Sequence, residues 1–314
     1  MKPIESVDTV AIVGNGLMGQ GISQVFARAG KNVTLIGRNP DSLSRATDTI
    51  GKNFQAFVDR GLIEQVESDE GLRRISTTTD YGAAADADVV IEAVPAVREL
   101  QLEVFGKLDG ICAEDIVIAS TSGQPISLMV DRMVHPERAV AAHFIYPAQL
   151  MPLVEVCGGA KTSPEVVDWT SRLLTSVGQT PALMEKEVDG FIVNRLQFAI
   201  IREAWSMWAN GVASAQAIDD SMRLTLGRRY SVTGPIESAE LGGLDIIHMF
   251  AEFLFPDLNT DKKPPEAVTA LVKDGHFGLK TGKGIYDWSQ RDGQELLARR
   301  ADQLFKHLAD DAGK

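Results

Sequence analysis

A chain of 314 residues with 44% hydrophobic and 24% charged side chains has a globular composition and the length for two domains. No apolar run approaches the ~20 residues of a membrane span, and a net charge of −12 with scattered basic residues argues against a nucleic-acid surface. Two cysteines, Cys112 and Cys157, lie in or beside apolar segments without a CxxC or Cys/His neighbourhood, so both read as reduced core residues and no metal site is expected.

The amino terminus, MKPIESVDTVAIVG, enters a strand pattern directly and shows no export signal, so a cytoplasmic location is expected. Short β-rich runs then alternate with helical stretches: VAIVG (10–14), VTLIG (33–37), VVIEAV (89–94), IVIAS (116–120), VAAHF (140–144), LVEV (153–156) and the strand-like TPALM (180–184). This alternation predicts an α/β fold, a Rossmann-type, mostly parallel sheet with crossover helices. A polar helical insertion over 41–72 is expected to form its own hairpin and one wall of a cleft. From EVDGFIVNR onward, apolar residues recur at 3-to-4 spacing over 190–210, 214–226 and 235–255, which predicts an all-α carboxyl-terminal domain. The expected division is a dinucleotide-binding domain over 1–188 and a helical substrate and dimerisation domain over 189–314.

Gly14, Gly16 and Gly19 form G-x-G-x-x-G between a strand and an amphipathic helix. Gly14 allows the tight turn, Gly16 admits a pyrophosphate to the backbone, and Gly19 lets helix and strand pack closely, with the helix amino terminus facing the phosphates. Leu17, Met18 and Val94 complete the expected cofactor-binding set. A dinucleotide site ordinarily ends its second strand on Asp or Glu, which grips the ribose hydroxyls. Here Gly37 occupies that position and Arg38 and Asn39 follow. Without the carboxylate a 2′-phosphate is not repelled, and a guanidinium binds it through charge-assisted hydrogen bonds. NADP is therefore favoured; the alternative is that Arg38 stacks on the adenine while NAD is used.

In HFIYPAQLMPLVEV, His143 ends one strand and Glu155 interrupts the apolar run of the next. A buried carboxylate needs a cationic or hydrogen-bonding neighbour, and His143 is the nearest candidate. A pair would fix one imidazole tautomer and make the histidine a general base; the alternative is a satisfied core histidine and a solvated edge-strand acid.

These segments belong to a longer run of matches. VGNGLMGQGI, DADVVIEAVP, ASTSGQPIS, HFIYPAQLMPLVEV, DGFIVNRL, GPIE and FGLKTGKGIYDW fall in order along nearly the whole chain, which thereby resembles the L-3-hydroxyacyl-CoA dehydrogenase family and its relatives that act on free acids. The resemblance implies that His143 and Glu155 form the catalytic pair, that Ser122 hydrogen-bonds the reacting oxygen, and that Asn194 orients the histidine or substrate. Three positions depart from the family pattern: Tyr146 replaces the Asn of H-x-x-N-P, and Ala96 and Gln101 replace a Glu and a Lys near the nicotinamide ribose. Arg228 and Arg229 in GRRYSVTGPIE look more like the free-acid relatives, where either could meet a substrate carboxylate. The expected activity is hydride transfer between C3 of a 3-hydroxy substrate and a nicotinamide. A 3-hydroxyacyl thioester is narrowly favoured, with Lys52, Arg60, Arg73 and Arg74 available to coenzyme A phosphates. A small free 3-hydroxy acid, with Tyr146 shaping the substrate pocket, is the alternative, and a dinucleotide-binding structural protein without turnover is a third reading. A homodimer through apolar residues that include Trp205, Met207, Trp208, Met249 and Phe250 is expected.

Overall fold

The computed structural model describes residues 1–311 and 313. Eight strands form one sheet: β1 (Thr9–Val13), β2 (Asn32–Ile36), β3 (Ile75–Thr78), β4 (Val89–Glu92), β5 (Val117–Ser120), β6 (Ala139–Phe144), β7 (Leu153–Cys157) and β8 (Thr180–Met184). Their order is β3-β2-β1-β4-β5-β6-β7-β8. Every neighbouring pair is parallel except β6 and β7, which are antiparallel.

Helices cover both faces, as buried parallel strands require. On one face Ile12, Leu35, Ile91 and Val140 pack with α1 (Leu17–Arg28), α2 (Pro40–Val58) and, after α3 (Gln65–Arg73) and α4 (Arg98–Ile111), α5 (Pro164–Ser176). On the other, Val13, Val90, Ile118 and Ala141 pack against Phe105 and Leu108 of α4. The reversal at β1 sends the chain to opposite edges through β2 and β4, so the carboxyl ends of β1, β4, β5 and β6 open on one side, where ligands of such sheets bind.

The strand β3 does not stand out in the sequence: ISTT is short and three of its four residues are polar. Because β3 pairs with β2, the expected insertion over 41–72 is a crossover connection made of α2 and α3. It does not stand away from the sheet, since Leu43, Ile50 and Phe54 of α2 are buried in the main core.

The chain divides into two compact units, Met1–Ile192 with Arg300–Lys314, and Val193–Arg299. The second contains most of α6 (Phe191–Ala209), then α7 (Ala215–Ser221), α8 (Gly227–Arg229), α9 (Pro235–Leu241), α10 (Leu244–Leu254) and α11 (Glu266–Lys273). The expected assignment of everything after 188 to one helical domain is corrected at its end: α12 (Gly293–Asp311) returns its last turns to the first unit. Phe305 meets Phe57 edge-on at 5.2 Å, Arg60 stacks on the Phe305 ring, and its guanidinium binds Asp302 at 2.6 Å. Among the described residues no helix is long and apolar enough to cross a membrane.

Candidate active site

The turn after β1 is shaped for a dinucleotide. Gly14 has φ 117°, and a Cβ there would lie 2.4 Å from the Ala93 carbonyl oxygen. A Cβ on Gly19 would fall 1.8 Å from the Gly14 oxygen, so loop and helix approach as closely as they do only because both residues lack side chains. Gly16, the N-cap of α1, has open space where a Cβ would be, and Leu17 and Met18 follow at the head of the helix, Leu17 63% exposed. Open backbone at a helix amino terminus suits a pyrophosphate, so these residues fit a nicotinamide dinucleotide.

At the end of β2, Gly37 is buried, and the space a Cβ would need is taken by Leu43 at 2.7 Å and Asn15 at 2.9 Å. The Asn15 amide donates to Ser42 Oγ at 2.9 Å. Arg38 is exposed. Asn39 is committed to the helix: its Oδ1 accepts the Ser42 N–H at 2.8 Å as the N-cap of α2.

The antiparallel register places His143 directly opposite Glu155. Opposed residues project to one face, so the two side chains meet: His143 Nδ1 and Glu155 Oε2 are 2.6 Å apart, with the histidine 9% exposed and the acid fully buried. The second carboxylate oxygen, Oε1, accepts the Ile192 N–H at 2.7 Å. Phe191, fully buried, sets its ring edge-to-face with the imidazole at 5.8 Å and 75°.

Ser122 follows β5 on the same side of the sheet. Its Oγ is buried without a hydrogen-bond partner, while its N–H donates to Ser120 Oγ at 3.1 Å. Ser120 in turn donates to Glu92 Oε2 at 2.6 Å, and the Val94 N–H donates to Glu92 Oε1 at 2.7 Å. Burial pushes the Glu92 carboxyl up to about 7, outweighing these hydrogen bonds, which favour the charged form. Glu92 is a site-adjacent residue the sequence reading passed over. An acid inside VVIEAV carries the same signal as the one inside LVEV.

Tyr146, on the loop between β6 and β7, is 54% exposed and precedes a cis proline. Ala96 is exposed and Gln101 fully buried. In the second unit, Asn194 lies half-buried in the first turn of α6, and Arg228 and Arg229 are exposed in α8. That unit also holds an apolar cavity of about 630 Å³ lined by Ile201, Trp205, Trp208, Met222 and Leu226 among others.

Residues 9–188 match the NAD binding domain of 3-hydroxyacyl-CoA dehydrogenase, and residues 190–288 match the carboxyl-terminal domain of the same family. The chain is 38% identical to L-carnitine dehydrogenase of Streptomyces griseus over 99% of its own length and 94% of that protein's. The crystal structure of an NAD+-dependent 5-formyl-3-hydroxy-2-methylpyridine 4-carboxylic acid 5-dehydrogenase superposes with a TM-score of 0.90 at 29% identity, covering 98% of this chain and 99% of the other. The (S)-3-hydroxybutyryl-CoA dehydrogenase of Ralstonia eutropha superposes with a TM-score of 0.76 at 29% identity, covering 90% and 99%.

Proposed function

The chain belongs to the 3-hydroxyacyl-CoA dehydrogenase family and is an NAD-binding dehydrogenase that acts on a hydroxyl group, and from that premise we propose that its substrate is a small free 3-hydroxy acid, oxidised by the nicotinamide while a His143–Glu155 pair takes the hydroxyl proton. The observation that carries the catalytic assignment is the 2.6 Å contact between the buried His143 Nδ1 and Glu155 Oε2. With Nδ1–H donated to the carboxylate, Nε2 is left with its lone pair and takes the substrate hydroxyl proton. Glu155 holds the ring and stabilises the imidazolium that forms. Ser122 Oγ, buried and unpartnered, donates to the reacting oxygen. Gly14, Gly16, Leu17, Met18, Gly19 and Val94 hold the dinucleotide, whose bound nicotinamide supplies the hydride acceptor.

Of the two substrate classes weighed from the sequence, the free acid is supported by the closer superposition on a pyridine carboxylate dehydrogenase than on an acyl-CoA enzyme. The engagement of Arg60 by Asp302 and Phe305 also removes one of the four basic groups offered to coenzyme A. Tyr146 then shapes the substrate pocket. NADP is the preferred cofactor, supported by the missing acid at Gly37 and the exposed Arg38. Two free, buried cysteines support a reducing, cytoplasmic setting, and exposed apolar residues of the second unit support a homodimer.

Steady-state assay with NADPH and NADH against free 3-keto acids and 3-ketoacyl-CoA thioesters tests this reading. Turnover of a free acid is expected, with kcat reduced by ~10² or more in His143→Gln and with Glu155→Gln less than additive to it. Turnover confined to thioesters would overturn the substrate assignment, and full turnover in His143→Gln would overturn the pair.

A further inference from the structure

Among the described residues Phe191 is the sole non-glycine with a positive φ, 47°, and it follows Gly190 at 78°. A left-handed backbone under a bulky L side chain is strained and persists only where its surroundings hold it. Here the two amides that flank it are tied to the two segments bearing the proposed chemistry. The Gly190 N–H donates to the carbonyl of Gly123, next to Ser122, at 3.1 Å, and the Ile192 N–H donates to Glu155 Oε1 at 2.7 Å. Between them the Phe191 ring, fully buried, stands edge-to-face against the His143 imidazole.

We propose that Phe191 and the Ile192 N–H are the positioning elements of the His143–Glu155 pair. The proposal rests on the dyad reading above and deepens it. A carboxylate has two equivalent oxygens and can turn; with Oε1 held by a backbone N–H at the head of α6, Oε2 alone is presented to Nδ1. An imidazole on a strand end can turn about its Cβ–Cγ bond, and the Phe191 ring closes that path. Nε2 is thereby left with one direction, toward the substrate side. The left-handed step serves both purposes at once, turning the ring inward beside the histidine and aiming the next amide at the acid. A helix of better local geometry would do one or neither. This is the physical reason for strained backbone at a position where glycine would have been free of cost.

Phe191→Ala and the volume-conserving Phe191→Met test it, with kcat taken per folded molecule. Phe191→Ala is expected to lower kcat ~10- to 100-fold while KM changes by no more than about threefold, because misplacement of a reacting group is felt in the transition state. Phe191→Met should recover most of the loss. In histidine-labelled protein the downfield Nδ1–H resonance of His143 should broaden or vanish in Phe191→Ala and persist in Phe191→Met. Wild-type kcat and wild-type imidazole resonances in Phe191→Ala, with only the melting temperature lowered, would overturn the proposal by reducing Phe191 to core packing. A measurement on properly folded protein covers the case in which both variants fail to fold: the Ile192 amide should be slow to exchange in wild type and fast in Glu155→Leu. Equal exchange in the two would overturn the amide's role. Failure of the dyad itself reads differently, as full turnover in His143→Gln while the His143 resonance of otherwise wild-type protein still responds to Phe191→Ala as expected.

Discussion

At the scale of single residues, cofactor choice turns on space as well as charge. Replacing Gly37 with Asp would supply the missing ribose acid, yet its Cβ would enter Leu43 and the Asn15 amide. Gly37→Asp alone should therefore lower affinity for both cofactors, whereas Gly37→Asp combined with Asn15→Gly and Leu43→Ala should shift kcat/KM toward NADH by about tenfold or more, the scale of one charge-assisted pair of hydrogen bonds. A fluorescence titration of both cofactors checks the first step and steady-state kinetics the second; unchanged preference in the combined variant would show that residue 37 does not read the ribose. Glu92 yields a second prediction. Its folded value, about 7, lies above the ordinary 4.5, so the stability this group contributes is full below the ordinary value and is lost as pH rises through about 7. Glu92→Gln should thus raise Tm relative to wild type more at about pH 8 than at about pH 5. Parallel Tm curves from differential scanning fluorimetry would contradict the buried charge. His143 and Glu155 were legible as a possible pair from an acid inside an apolar run. Phe191 was not, because nothing in DGFIVNR distinguishes a left-handed phenylalanine from the first residue of an ordinary helix.

At the scale of elements, six of the strands announce themselves by apolar runs such as VAIVG and VVIEAV and β8 by the strand-like TPALM, and β3 does not because ISTT holds a single apolar residue and starts one residue after α3 ends. Missing it turned a crossover into an insertion. The destination of the final helix was not legible: the residues that anchor it, Phe57 and Phe305, are 248 positions apart and neither belongs to a motif. Phe305 is 8% exposed and lies with Phe57, Leu62 and Leu150 in a small core of its own. Phe305→Ala should cost about 3 kcal/mol, less if the gap collapses. Urea unfolding followed by circular dichroism measures it, and a loss near zero would show that α12 contributes nothing to the first unit's stability.

At the scale of the whole molecule, the second unit leaves large apolar side chains in solvent, among them Phe198, Met249, Phe250, Phe253 and Phe255, each at least 55% exposed. Patches of this kind mark association surfaces. Static light scattering should return twice the mass of one chain at micromolar concentration, and Phe253→Asp with Phe255→Asp should halve it. A single-chain mass for wild type would remove the dimer. The antiparallel turn of β6 into β7 has one further consequence, for the order in which the molecule assembles. Every parallel pairing in the sheet waits on the closure of a long crossover, as when Val10 meets Val89, but His143 and Glu155 lie on a hairpin whose turn is already stitched by Leu150 and Met151 to Pro147. Short loops close at lower entropic cost. The proposed His143–Glu155 pair is thus a local contact, whereas the cofactor's turn, where Gly14 meets Ala93, is assembled only when the far longer crossover between β1 and β4 closes.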